Sequence, residues 1–143
     1  MHCTESKILN IKYYWYTWFC AVSLFLIIRY AILSKAPEGA KYTLFSIYAL
    51  LTWLPLMGIG AYHGWKFRHY LDKHHPKVFK KFFSHAYGMI TIDDPIGLLK
   101  FGFSKETFED GNLNRIKEFQ KKLFYFAITV FITYPIFFVV NMM

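Results

Sequence analysis

Three long apolar blocks constrain this chain more than any other feature of its sequence. They run from Tyr13 to Leu33, from Tyr42 to Ala61 and from Leu123 to Val140. A helix of about 20 residues crosses the roughly 30 Å of a bilayer's hydrocarbon core. The blocks contain a single charged residue, Arg29, and an unpaired charge at mid-bilayer costs about 2.5 to 3.5 kcal/mol. The sequence therefore predicts an all-α membrane protein with three transmembrane helices.

The composition agrees with a membrane protein and disagrees with a disordered or ordinary soluble chain. Hydrophobic residues make up 55% of the sequence and charged residues 18%, against about 25% charged in typical globular domains. A cleaved signal peptide is the alternative for the first block, but that block is too long and contains Arg29. We therefore predict an uncleaved anchor, and one membrane domain over residues 1–143.

The distribution of lysine and arginine predicts the orientation. The stretch from Tyr62 to Lys122 contains twelve of these residues, whereas the connection between the first two blocks contains only Lys35 and Lys41. Under the positive-inside rule the long segment, 62–122, is cytoplasmic. Three spans then place the N-terminus inside and the C-terminus outside. Arg29 lies four residues from the end of its block, so we expect its side chain to snorkel outward to the interface.

The cytoplasmic segment is predicted to form a small helical cap. The second span should continue as a helix to about His74, because a residue that precedes a proline disfavours the helical conformation. A second helix should begin with Asn112 as its N-cap and run into the third span.

Between these helices the pattern predicts two shorter ones and a turn. Apolar residues at helical spacing indicate a basic amphipathic helix; they are Phe79, Phe82, Phe83, Ala86, Tyr87 and Ile90. Asp94 as N-cap and Pro95 at the first helical position should open a short apolar turn over 96–103. Residues 104–111 are predicted to be a capped turn closed by Gly111.

Catalytic and metal-binding signatures are absent from the sequence. It contains no GxxxxGK[ST], GxSxG, CxxC or HExxH pattern, and no two of its six histidines lie four residues apart. The pair Asp93 and Asp94 is explained by helix capping, with an acid–base or Mg²⁺ site as the alternative. We predict no enzyme activity, no cofactor and no metal, and a metal at His74 and His75 stays the alternative.

Basic residues interleaved with aromatic ones flank the predicted spans. Cations beside a membrane bind anionic lipid at about 1 kcal/mol each, so we predict lipid contact in preference to nucleic-acid binding. The residues assigned to this contact are Lys66, Arg68, Lys73, Lys77, Lys80, Lys81, Lys121 and Lys122.

Glycines in the second span indicate close helix packing. Gly60 and Gly64 form a small-x3-small pattern, with Gly58 nearby. We therefore expect a homo-oligomer or a larger membrane partner. Two functions follow: a small accessory or stress-related module that acts through lipid and protein contacts, or a homo-oligomeric pore that alters membrane permeability.

The order of motifs after the first span resembles small bacterial membrane proteins of the universal stress protein B-like kind. The residues that carry the likeness are Tyr70-Leu71-Asp72-Lys73-His74-His75-Pro76 and Phe108-Glu109-Asp110-Gly111-Asn112-Leu113, between two spans and around an aromatic-rich segment. The likeness covers about Tyr42 to Met143, and the first span is additional to it. It implies a bacterial inner-membrane location and supplies no catalytic residues and no cofactor.

Overall fold

The computed structural model describes residues 10–83 and 95–143, and in these residues it is helical without any strand. There are five α-helices in the described part, and the first is extended by a π-helical turn, Ile28–Ile32. The α-helices are α1 (Lys12–Ile27), α2 (Glu38–His74), α3 (Pro76–Phe83), α4 (Pro95–Gly102) and α5 (Gly111–Met142).

The three longest helices contain the three apolar blocks, except for Leu33, which follows the π turn. α1 with its π turn has 21 residues, α2 has 37 and α5 has 32, and each is long and apolar enough to cross a membrane. The prediction of three such helices is confirmed. α2 also ends at His74, as the position of Pro76 predicts, and α3 starts at that proline.

The start of α5 differs from the prediction. The helix begins at Gly111, and the Asp110 carboxylate accepts a hydrogen bond from the backbone N–H of Asn112 at 2.8 Å. Asp110 is therefore the N-cap, in place of Asn112, and Gly111 opens a helix instead of closing a turn. Both Asp and Asn are good caps, so local sequence alone does not choose between them.

The two short helices agree with the prediction as far as they are described. α3 contains Phe79, Phe82 and Phe83, and Pro95 is the first residue of α4. Ala86, Tyr87, Ile90, Asp93 and Asp94 lie outside the described residues.

The described residues fall into two compact units, which we describe separately. One unit, Met57–Phe124, has a core cluster in which every side chain is buried. Its members are Phe67, Leu71, Phe83, Phe101 and Leu113. They come from α2, α3, α4 and α5, so four helices share one core.

The other unit consists of residues 10–56 and 125–143 and is packed mainly through aromatic rings. The ring of Tyr48 in α2 lies 4.7 Å from the ring of Phe25 in α1 and 5.5 Å from that of Phe137 in α5. Nearer the start of α1, Trp15 packs edge-on against Phe126 at 4.9 Å. Aromatic contacts therefore join all three long helices in this unit.

A polar connection joins the same three helices near the end of α5. The Arg29 guanidinium, in the π turn, donates two hydrogen bonds to the backbone carbonyl of Asn141, from Nε at 3.2 Å and from Nη2 at 3.1 Å. The side chain of Asn141 donates to the carbonyl of Lys41 at 2.8 Å. Arg29 is 3% exposed and Asn141 is fully buried. The protein therefore encloses the Arg29 side chain, and the negative end of the α5 helix dipole solvates its charge.

We expect Arg29→Gln to lower the free energy of unfolding by about 1.5 to 3 kcal/mol, since it removes charge-assisted hydrogen bonds from a buried carbonyl. Lys35→Gln, at an exposed neighbouring position, is the matched control and should change stability by less than about 0.5 kcal/mol. Unfolding of both variants by SDS in mixed micelles measures the difference. Equal effects of the two substitutions would show that the Arg29 contact does not stabilise the fold.

Candidate lipid-binding surface

The basic residues predicted to meet lipid are all outside the buried core. Lys66, Arg68 and Lys121 are half-buried, whereas the other five are exposed: Lys73, Lys77, Lys80, Lys81 and Lys122. Among the described residues, Lys81 pairs with Glu106. Lys66, Lys73 and Lys122 have no carboxylate partner in the described part of the chain. The Met57–Phe124 unit therefore presents many uncompensated positive charges.

These basic residues lie at different distances from the apolar blocks, measured along the helices that carry them. Lys121 and Lys122 directly precede Leu123, and Lys66 lies five residues past Ala61, which is about 7.5 Å along α2. Lys73 lies twelve residues past Ala61, about 18 Å along the same helix. Lys77 follows in α3, which starts just after α2 ends. The basic residues therefore include a proximal set, Lys66, Lys121 and Lys122, and a distal set at the end of α2 and in α3, Lys73, Lys77 and Lys80.

The apolar face of α3 is occupied within its own unit. Phe83 belongs to the core cluster, and Val78, Phe79 and Phe82 pack against it. The Lys81 ammonium lies 5.8 Å from the ring centre of Phe82. α3 therefore presents lysines outward and keeps its aromatic residues inside, so it is not available to insert an apolar face into lipid.

Residues 104–110 form a strap that connects α4 to α5. Glu106 binds Lys81 of α3 through its carboxylate, and its backbone carbonyl accepts from Lys117 Nζ of α5 at 2.6 Å. Asn114 binds both backbone groups of Phe108, accepting from its N–H at 3.0 Å and donating to its carbonyl at 2.6 Å. The Phe108 ring is stacked on Phe101 at 5.6 Å. The strap is thus attached to helices on both of its sides.

Asp110 is the last residue of the strap, and it contacts residues at the C-terminal end of α2 and directly after it. Its carboxylate lies 2.9 Å from His75 Nε2, and it accepts from the Tyr70 hydroxyl at 3.4 Å. The backbone N–H of Asn112, and after it the contacts with His75 and Tyr70, hold the pKa of Asp110 below its ordinary value of 3.8. His74 is exposed, with its ring 4.9 Å from that of Tyr70. The two adjacent histidines therefore have different surroundings.

The three glycines of α2 do not share one face. At about 100° per residue, Gly60 and Gly64 lie on the same side of α2 and Gly58 on the opposite side. Gly58 is exposed, Gly60 is half-buried and Gly64 is buried. A Cβ added at Gly58 or Gly60 would meet nothing within 4 Å among the described residues. These two positions therefore have room on the outside of the chain.

Polar groups inside the Asn10–Leu56 and Tyr125–Met143 unit form a cluster that sequence analysis missed. Thr52 and Tyr134 share a hydrogen bond of 2.9 Å between α2 and α5. The indole N–H of Trp18 and the hydroxyl of Tyr48 are buried near each other and near Thr133, although neither makes a hydrogen bond of ordinary geometry among the described residues. Hydropathy scales count Tyr and Trp as apolar, so only the inward positions of these side chains reveal the cluster.

Four Ser and Thr hydroxyls on the long helices are satisfied by their own backbone. Each donates to the carbonyl four residues earlier, at 2.9 to 3.0 Å: Thr17 to Tyr13, Thr43 to Gly39, Ser46 to Tyr42 and Thr129 to Tyr125. Such hydroxyls need no water or partner. These four hydroxyls therefore add little polarity to the outward surfaces of the three helices.

We expect the Asn112 amide resonance to titrate with a midpoint below 3.8, because it reports the lowered pKa of Asp110. Asp110 stabilises the strap above the ordinary carboxyl pKa, and this contribution is lost as the pH falls through the lowered value. His75→Phe should move the midpoint upward, and Asp110→Asn should abolish the titration while it retains the cap. NMR in micelles between pH 6 and 2 measures all three. A midpoint at or above 3.8 in the unmodified protein would contradict the assignment.

Comparison with protein-family models, curated proteins and solved structures finds no match. The function of this chain therefore has to be inferred from its own contacts and charges.

Proposed function

We propose that this chain is a non-enzymatic, multi-pass membrane protein that acts as a small accessory module through contacts with anionic lipid and with a larger membrane partner. α1, the first part of α2 and the last part of α5 are its three transmembrane spans, with the N-terminus in the cytoplasm. Residues 62–122 form its cytoplasmic cap. The resemblance of 42–143 to universal stress protein B-like proteins supports a bacterial inner-membrane location.

The main support for this proposal is the apolar, little-buried outward surface of the long helices. In their most apolar 18-residue windows only 11 to 17% of residues are buried within the chain. A surface so apolar and so little covered requires hydrocarbon or another protein around it. Because four of the Ser and Thr hydroxyls are bonded within their own helices, they do not prevent this surface from lying in lipid.

The charge of the 62–122 segment supports its place beside the cytoplasmic leaflet. Anionic headgroups attract juxtamembrane cations, and the attraction falls off within a Debye length, about 8 Å at physiological salt. The proximal lysines, Lys66, Lys121 and Lys122, lie within this range of the headgroups. Lys73 and Lys77 lie near the far end of α2, about 18 Å or more from the hydrocarbon edge.

We expect the proximal set to determine lipid selectivity. Replacing Lys66, Lys121 and Lys122 together by Gln should weaken the preference for phosphatidylglycerol over phosphatidylcholine several-fold, since each cation near the surface contributes about 1 kcal/mol. The same change at Lys73, Lys77 and Lys80 removes an equal charge and is the matched control, with a smaller expected effect. Electron paramagnetic resonance of spin-labelled lipids in nanodiscs measures the preference. A larger effect of the distal set would contradict this arrangement.

The orientation has a separate test. A cysteine added after Met143, in a chain whose native cysteines are replaced, should react with an impermeant maleimide in intact cells. One added at exposed Lys105 should react only after the inner membrane is opened. The reverse pattern would overturn the proposed topology.

A homo-oligomeric pore is the second candidate function, and the open space at Gly58 and Gly60 favours it. A leucine at either position meets no described residue within 4 Å of its Cβ, so these substitutions probe association without disturbing the fold. A pore requires an assembly of four or more copies in nanodiscs, with ion flux from liposomes that Gly60→Leu abolishes. The inward position of the Thr52, Tyr134 and Tyr48 hydroxyls favours the accessory module, because these hydroxyls are then not available to line a pore between copies.

A further inference from the structure

Five exposed positions around the end of the second apolar block form a strip along α2, which we call the α2 strip. They repeat every three or four residues and so lie on one side of the helix; they are Gly58, Tyr62, Trp65, His69 and Lys73. Tyr62 is 50% exposed and Trp65 is 59% exposed. On the other side of the same stretch, Phe67 and Leu71 belong to the core cluster. The unit therefore packs one side of α2 and leaves the strip outward.

The side chains of the α2 strip become more polar with distance from the apolar block. Tyr62 lies about 1.5 Å past Ala61 along the helix, and Trp65 about 6 Å past it. His69 and Lys73 lie about 12 and 18 Å past the same residue. The headgroup layer on each side of a bilayer is about 5 to 8 Å thick. Two amphipathic rings therefore fall at the levels of that layer, and the more polar side chains fall at the levels beyond it.

A stack of two rings supports the outward position of Trp65. The imidazole of His69, one turn further from the apolar block, lies nearly parallel to the indole, with ring centres 6.0 Å apart and an angle of 10° between the planes. Trp is enriched at membrane interfaces because its ring is apolar and its N–H donates to polar groups. The stack therefore holds a ring of this kind on the side of α2 that faces away from the core cluster.

The charges of the strip favour lipid over a second copy of the chain or another protein. In a parallel two-fold dimer each residue near the axis meets its own equivalent, so a dimer through the strip would bring two copies of Lys73 together. Anionic headgroups instead attract Lys73 and its neighbour Lys66. A protein partner would also have to change from apolar to polar along the strip, whereas a membrane interface does so by its nature.

We propose that Tyr62 and Trp65, in the middle of the α2 strip, lie in the headgroup layer of the cytoplasmic leaflet and contact the ester and phosphate groups of glycerophospholipids. This rests on the proposed function, because it takes Ala61 as the cytoplasmic edge of the second span. The two aromatic side chains determine the level at which α2 leaves the bilayer, and His69 and Lys73 extend beyond the headgroups into water.

Quenching of tryptophan fluorescence in the full chain tests the proposal. The chain has four tryptophans, and replacing Trp15, Trp18 and Trp53 by Phe leaves Trp65 alone. A matched protein, with Trp15, Trp18 and Trp65 replaced, keeps only Trp53, about 18 Å earlier along α2. Both are placed in vesicles of phosphatidylglycerol and phosphatidylcholine with bromine either near the ester end or near the methyl end of the acyl chains. Acrylamide is the quencher in water, and circular dichroism checks helix content.

We expect bromine near the ester end to reduce the emission of Trp65 more than bromine near the methyl end, and the reverse order for Trp53. Stronger quenching of Trp65 by the deeper bromine would place it in hydrocarbon and overturn the proposal. The absence of quenching by either bromine would show that water or protein surrounds Trp65, and would also overturn it.

Trp53 separates this proposal from the proposed function. Quenching of Trp53 by bromine, without quenching of Trp65, rejects only the assignment of the α2 strip. Quenching of Trp53 by acrylamide and by neither bromine rejects the transmembrane arrangement, and the assignment of the strip with it.

A spin label provides a second measurement that retains all the tryptophans. Cys3 and Cys20 are replaced by Ser, and a nitroxide is attached at Tyr62→Cys or, as the control, at Lys73→Cys, which are both exposed positions. We expect oxygen, which is concentrated in lipid, to collide more often with the label at 62 than with that at 73, and a water-soluble nickel chelate to show the reverse. Equal collision rates at the two positions would overturn the proposal.

Discussion

The continuity of two helices beyond their apolar blocks is the feature on which the rest of the Met57–Phe124 unit depends. An α-helix satisfies its own backbone hydrogen bonds, so it has no need to end where the hydrocarbon ends. α2 continues for 13 residues past Ala61, and α5 begins 12 residues before Leu123. Both extensions are therefore about 18 to 20 Å long. Phe67 and Leu71 on one extension and Leu113 on the other provide the framework against which α3, α4 and the strap pack.

Sequence patterns predicted the elements of this fold better than the partners of their side chains. Uninterrupted apolar runs and the position of Pro76 were enough for the long helices and for the end of α2. The N-cap of α5 was not predictable, because Asp110 and Asn112 are both good caps and the choice rests on contacts with Tyr70 and His75 from a distant part of the chain. The partner of Arg29 is not predictable from local sequence either, since Asn141 is 112 residues away.

The two short helices show that the helical periodicity of apolar residues does not identify what covers an apolar face. The stronger amphipathic pattern belongs to α3, yet its phenylalanines pack into the core cluster, while Ile96 and Phe103 of α4 remain exposed. An apolar face indicates that something covers it and does not indicate whether the cover is protein or lipid. The polar cluster around Tyr48 and Thr52 was missed because those side chains are amphipathic. Their inward positions became evident only once the three helices were packed together.

The separation between Arg29 and Asn141 has a consequence for the biogenesis of the protein. A chain is synthesised from its N-terminus, so Arg29 is made 112 residues before the carbonyl that accepts its hydrogen bonds. Until that carbonyl has been made, the guanidinium needs other acceptors. A chain that stops short of Asn141 cannot form the contact, so the packing of Arg29 inside the protein requires the last turn of α5.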